Sequence, residues 1–278
     1  MLNPTFIQPI IFRHVLYCGC VCAGLLSMNH SAQAQSDAKP ATTESAWQLS
    51  LGGILMADSK AWRGYDTQVL AVPYIDLRYG NWFLSAEQGF GYGVSWHDEV
   101  SVYVAVGYRD DSYDQNLPFL TTLEEHAVFD GYEAPRGETT FNLGISGYFM
   151  SLDLAQDMSD QSKGLTATFD LSLPVLRYRD TVNIDFSVSA TWLEMSYVNS
   201  VYGVSAAQQN VLVGRNAYAV TKDAVNYQVG LSMLVFIDQH WTLISRISAE
   251  RLDDNIALSP LLDDNRNALF AVGIGYTW

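Results

Sequence analysis

Between Val225 and Ile237 every odd position is apolar or aromatic, and Asn226, Gln228, Gly230 and Ser232 fall between them. The segment from Val182 to Trp192 repeats the pattern, setting Ile184, Phe186, Val188 and Ala190 against Asn183, Asp185, Ser187, Ser189 and Thr191. A period of two sends successive side chains to opposite faces, which is the mark of a strand with unlike surroundings on its two sides. Residues 165–175, 100–108 and 267–278 alternate in the same way, and weaker versions run through 47–57, 67–79, 82–94, 138–157 and 240–252. No long segment carries a helical period, so the pattern predicts an all-β chain.

The apolar face of such strands looks either into a protein core or out to lipid. The alternating runs reach ten residues or more, longer than the five or six usual in soluble sheets but suited to a tilted bilayer crossing of roughly 9–11 residues. Their polar phase is rich in Gly, Ser, Thr and Asn and carries charges of both signs, as the inside of a narrow barrel would. In lipid an open sheet edge has no water to satisfy it, so the sheet must close on itself. The expectation is a transmembrane antiparallel up-and-down β-barrel. The apolar phase of 138–157 flips at Gly147, which predicts a hairpin there. An even strand number then requires one further strand, placed within 117–135, so twelve strands are favoured, with ten as the alternative.

Residues 1–34 read as a secretory signal peptide: Arg13 and His14 precede an apolar run from Val15 to Met28, and Ala32 and Ala34 form a small-x-small cleavage site. That run is short of the roughly 20 residues of a spanning helix. All three cysteines, Cys18, Cys20 and Cys22, lie within it, so the exported chain must hold together without disulfides. Residues 35–46 form a polar periplasmic lead-in, and 47–278 the outer-membrane barrel. The formal charge is -15 and loses only Arg13 with the signal, which excludes nucleic acid as a natural partner.

Aromatic residues cluster at predicted strand ends, where an interfacial girdle would lie. Tyr79, Trp82, Phe83, Tyr148, Phe149, Trp241, Tyr276 and Trp278 are assigned to the membrane interface. The alternating strand that ends on Trp278 is similar to the terminal signal that bacterial outer-membrane barrels present to their insertion machinery. Arg78, Glu87, Arg109, Asp170, Asp185, Arg246 and Glu250 fall in the inward phase and are the candidate lumen charges.

Enzymatic chemistry has little to draw on. His97, His126 and His240 are the imidazoles of the exported chain, and no serine stands in a recognisable nucleophile motif. His97 beside Asp98 and Glu99 reads as a solvated turn. The pairs Asp110–Asp111, Asp253–Asp254 and Asp263–Asp264 read as solvated loop carboxylates without EF-hand spacing. No catalytic residue, metal site or cofactor is expected.

"VPYIDLRYGNWFLS" (72–85), "SVYGVSAAQ" (200–208) and "LDDNIALSPLLDDNRNALFAVGIGYTW" (252–278) resemble the MltA-interacting protein (MipA/OmpV) family across essentially the whole exported chain. The segment after "VGYRDD" departs from the family pattern, with "LPFLTTLEEH" in place of a Gly-rich element. The resemblance implies a non-enzymatic outer-membrane scaffold that links a lytic transglycosylase to a peptidoglycan synthase, in contact with outer-membrane lipid and lipopolysaccharide. Two other readings stay open on the residues: a narrow channel, and a surface adhesin acting through loops 110–137 and 198–221.

Overall fold

The computed structural model describes residues 47–278 apart from 66, 87, 97–99, 114–125 and 180, so the expected signal peptide and lead-in lie outside the described residues. The chain forms twelve antiparallel strands: β1 (Trp47–Ser59), β2 (Gln68–Tyr79), β3 (Trp82–Ser85), β4 (Gly89–Trp96), β5 (Val100–Arg109), β6 (Glu138–Gly147), β7 (Met150–Asp157), β8 (Leu165–Tyr178), β9 (Val182–Leu193), β10 (Ala224–Phe236), β11 (Trp241–Arg251) and β12 (Arg266–Thr277). Each pairs with its sequence neighbour, and β1 pairs with β12 from Ser50↔Thr277 to Ser59↔Ala268, closing the barrel. No described helix is long and apolar enough to cross a membrane; the strands do the crossing.

The alternation in sequence becomes the two faces of this wall. Phe186, Val229, Leu231, Phe270 and Ile274 stand exposed on the outside, while Asp185, Ser187, Ser189, Gln228, Ser232 and Ser248 are buried inside. An apolar exterior on a closed sheet is stable only against hydrocarbon, which makes this an outer-membrane barrel. Trp47, Trp278 and the tight turns at 80–81, 148–149 and 237–240 lie at one end. In such barrels that end faces the periplasm, and the longer connections face the cell exterior.

The twelfth strand lies elsewhere than expected. The described part of 117–135 holds a short 3-10 turn, Ala127–Phe129, and no strand. The extra strand comes instead from 82–94, which is a hairpin: Ser85 pairs with Gly89 around a three-residue turn, and Gly89 takes φ +80°. Because β3 stops opposite Asp76, the upper part of β2 has a strand partner on the β1 side only, among the described residues. Pro73, which has no N–H to give to a ladder, occupies that stretch.

Above the outer end, two short helices, α1 (Met195–Tyr202) and α2 (Asp254–Ala257), join the loops in a packed cap. Tyr197, Val198, Val201 and Tyr202 form one buried face of α1. They pack with Trp62, Val128, Phe129, Ile256, Leu261 and Leu262. Eight residues do not make a stable helix in water, so burial of this face holds α1 in place.

Candidate functional site: the capped lumen

Several inward charges of the wall are ion-paired or hydrogen-bonded to neighbours on the same or nearby strands. Near the periplasmic end, Arg78 donates from Nε to Asp76 Oδ1 at 2.9 Å, and Arg177 donates to Asp185 at 2.5 Å. Halfway up, the Tyr103 hydroxyl donates to Asp153 at 2.8 Å. Gly144 lets the Tyr103 ring lie against the wall, since a Cβ there would sit 2.0 Å from Tyr103 Cε1. On the opposite wall, Met56, Leu70, Tyr74, Leu234, Ile244 and Leu269 turn inward and pack on one another. An apolar cluster of this kind excludes water from part of the lumen.

Towards the exterior the polar network tightens. Arg246 donates to Gln228 Oε1 at 3.1 Å. Glu250 accepts from Asn267 at 2.7 Å and from Asn226 at 3.3 Å. At the junction of wall and cap, Arg109 donates from Nε to Glu138 Oε1 at 2.8 Å and from Nη1 to Thr166 Oγ1 at 2.6 Å, and its guanidinium lies 4.2 Å from the Tyr197 ring centroid. The Tyr197 hydroxyl, from α1, donates to Asp111. Burial raises the Asp111 carboxyl above its ordinary value, although the neighbouring Arg109 and the Tyr197 hydroxyl pull the other way. Burial likewise lifts Tyr197 well above the usual phenol range, so its hydroxyl keeps its proton and serves as a donor.

Most of the candidate lumen charges meet inside the barrel: Arg78 is half-buried, and Arg109, Asp170, Asp185, Arg246 and Glu250 are buried. Glu87 lies outside the described residues. Sequence reasoning missed Glu138, Asp111 and Tyr197, which complete the junction. Glu138 opens β6 in the same phase as Thr140 and Asn142, and that phase was the available signal. Asp111 is a correction, since it is a buried acceptor rather than a solvated loop carboxylate. The half-buried Asp253 is a helix cap: burial would raise it, but N–H groups of Asn255 and Val225 and the Asn255 amide hold it below the ordinary carboxylate value.

The aromatics assigned to the interface touch one another in local groups. Trp47 lies 4.6 Å from Tyr79, Trp82 stacks on Phe90 at 5.3 Å, and Tyr276 meets Trp241 at 4.9 Å and Trp278 at 4.6 Å between centroids. Tyr148 and Phe149 are exposed on their turn. Phe83 departs from the interfacial assignment. It is 7% exposed and points into the lumen, edge-on to Tyr103 at 5.9 Å, in space left by Gly91.

Neither described candidate imidazole is set up as a base. His126 Nδ1 accepts from Val128 N at 3.2 Å, and His240 stacks on Tyr276. His97 lies outside the described residues. Among the described residues no three His, Cys, Asp or Glu gather as a metal site. What the arrangement does chemically is fasten neighbouring strands to one another along the lumen wall, line part of the lumen with an apolar patch, and tie the wall to a hydrophobic cap above.

The comparisons with known proteins agree with the wall. The chain is 20% identical over 237 residues to the "Putative outer membrane protein YiaT" of Escherichia coli (strain K12), covering 83% of this chain and 91% of that protein. Among solved structures it is similar to a NanC porin (8% identity, 83% of this chain and 99% of that one, TM-score 0.35). It is also similar to the outer-membrane expressed OmpT of Vibrio cholerae (10% identity, 86% and 100%, TM-score 0.33). The model of the family "MltA-interacting protein MipA" matches residues 50–278, nearly the whole barrel, and the chain belongs to that family.

Proposed function

We propose that the barrel is a non-enzymatic scaffold of the cell envelope that contacts a lytic transglycosylase, and through it a peptidoglycan synthase, from its periplasmic end. The observation that carries this is the fastened cap at the outer end, where Arg109, Glu138, Asp111 and Tyr197 tie wall to cap and α1 and α2 share one buried core; we read this as closing the lumen. A barrel closed in this way acts by what its surface holds rather than by what passes through it. The family name supports a lytic transglycosylase as the partner. The described surface includes the turns at 80–81, 148–149 and 237–240 and residues 179 and 181, which suits a contact of modest area. The signal peptide 1–34 and lead-in 35–46 belong to the same proposal, the lead-in lengthening the periplasmic surface.

Photo-crosslinkers placed at Arg179 and Gln239 in intact envelopes test it. The expected result is an adduct containing a murein hydrolase, together with silence of the purified barrel in planar bilayers. Steady ion-selective openings without such an adduct would favour the channel. A second reading, contact with an outside surface, draws on Leu212, which is 98% exposed on the cap beside the exposed Val211. Leu212→Glu should then abolish attachment to host cells or phage, and unchanged attachment removes that reading.

A further inference from the structure

The outer wall of β10, β11 and β12 carries a feature that scaffolding does not use. Ala249 pairs with Ala268 across β11 and β12, and Ala57 of β1 lies diagonally beyond them. These small side chains floor an open groove of about 550 Å³ on the lipid face, walled by Val229, Ile247 and Phe270. One step further along the same outward phase, Arg251 pairs directly with Arg266. Both arginines are exposed, and Tyr227 flanks them on β10. Two residues of strand put them roughly 7 Å beyond the alanines, at the end that faces the cell exterior.

Like charges set opposite one another on adjacent strands repel, and this chain has only 15 basic residues against 30 acidic ones. Among the described residues Arg251 has one ion-pair partner, Asp254 at 3.1 Å, and both side chains are more than 60% exposed, so the pair is worth little. Arg266 makes no ion pair among the described residues. Two guanidinium forks at headgroup depth above an apolar groove match an anionic headgroup with acyl chains attached.

The geometry points to a specific lipid site here: Arg251 and Arg266 grip the phosphates of a multiply acylated, phosphorylated glycolipid of the outer leaflet, of the lipid A class, and an acyl chain lies over Ala249 and Ala268. Arginines paired directly across two strands can converge on a phosphate of such a headgroup, and the groove sits in the leaflet where that lipid resides. The inference rests on the outer-membrane placement and on lipopolysaccharide as a lipid partner, but not on the scaffold role, which the crosslinks from Arg179 and Gln239 test separately.

Native mass spectrometry of the delipidated, refolded full barrel with bisphosphorylated hexa-acyl lipid A is the test. The double variant R251Q/R266Q should bind about 30-fold more weakly, at roughly one screened surface contact per arginine. R251K/R266K should keep most of the affinity, and Ala268→Phe, which fills the groove, should lower it with the arginines intact. A heat-dependent shift in gel migration reports folding of each variant. On the wild-type chain alone, lipid A stripped of both phosphates should bind as weakly as the double variant does to the intact lipid. Equal binding by R251Q/R266Q, equal binding of phosphatidylglycerol, or barrel-to-barrel crosslinks from Ala268→Cys showing that a second copy fills the groove would each overturn the proposal.

Discussion

Replacing Arg109 by Met keeps most of the volume and removes the charge at the junction of wall and cap. Glu138 would lose its cation, and Asp111 would lose the nearest charge that favours its ionised form. Removing one partner of a buried ion pair costs roughly 3–5 kcal/mol, because the other charge stays buried without compensation. Loss of the guanidinium from the Tyr197 ring at 4.2 Å adds about 0.5–2 kcal/mol, not strictly additive with the first. The reverse change, Glu138→Leu, should cost less, since Arg109 still faces Asp111. The pair R109M/E138L should recover much of the R109M loss, because apolar replacement of both partners is often neutral.

The loss should fall on the cap before the wall, whose ladder hydrogen bonds run through the backbone and do not involve the Arg109 side chain. Hydrogen exchange of the α1 amides measures it directly, and urea unfolding followed by tryptophan emission measures the barrel. On the proposed closure, opening of the cap should also raise the conductance of R109M above that of the parent. The reasoning fails if R109M shifts α1 exchange by less than about 1 kcal/mol, or if the double variant loses the plain sum of the two single losses.

Phe83→Ala should destabilise the barrel by roughly 3–5 kcal/mol as a large core truncation, whereas Trp82→Ala on the outside should cost clearly less; similar urea midpoints would return Phe83 to the interface. Asp111→Asn should flatten the pH profile of the cap. With the native pKa raised, its contribution is complete below about pH 4 and disappears as pH rises through the raised value, so wild type should gain α1 exchange relative to the variant on going to neutral pH, and parallel profiles would refute it. Asp253→Ala removes acceptors for Asn255 N and Val225 N and should cost about 1–2 kcal/mol in α2 protection; no change would mean the cap is held by burial alone. Intact-mass measurement of exported protein should place the first residue at Gln35, and a chain retaining Met1 would remove the signal-peptide assignment.

The wall was legible because each strand residue meets one of two solvents, and that choice repeats every second position. Hairpins show in such a pattern only when they shift its phase. The two-residue turn at 148–149 does so: Phe141, Leu143 and Ile145 face out before it, and Met150 and Leu152 after it. The turn after Ser85 holds three residues and preserves the phase, so Trp82, Leu84, Phe90 and Tyr92 all face out on even numbers and 82–94 reads as one strand. Phe83 was hidden for a related reason. A large inward aromatic looks like a girdle residue in sequence, and what gives it room is Gly91 on the neighbouring strand, where a Cβ would lie 2.3 Å from Phe83 Cζ. The cap lies furthest from any pattern. Tyr197, Val198, Val201 and Tyr202 do share a helical face, but one 8-residue helix is too short to carry a period. Its partners Trp62, Val128 and Ile256 come from three other loops. The charges that fasten it are 86 residues apart for Tyr197 and Asp111 and 29 for Arg109 and Glu138. Periodicity therefore finds the surfaces a chain turns to its surroundings, whereas the fastening of the cap to the wall depends on pairings that only the three-dimensional register brings together.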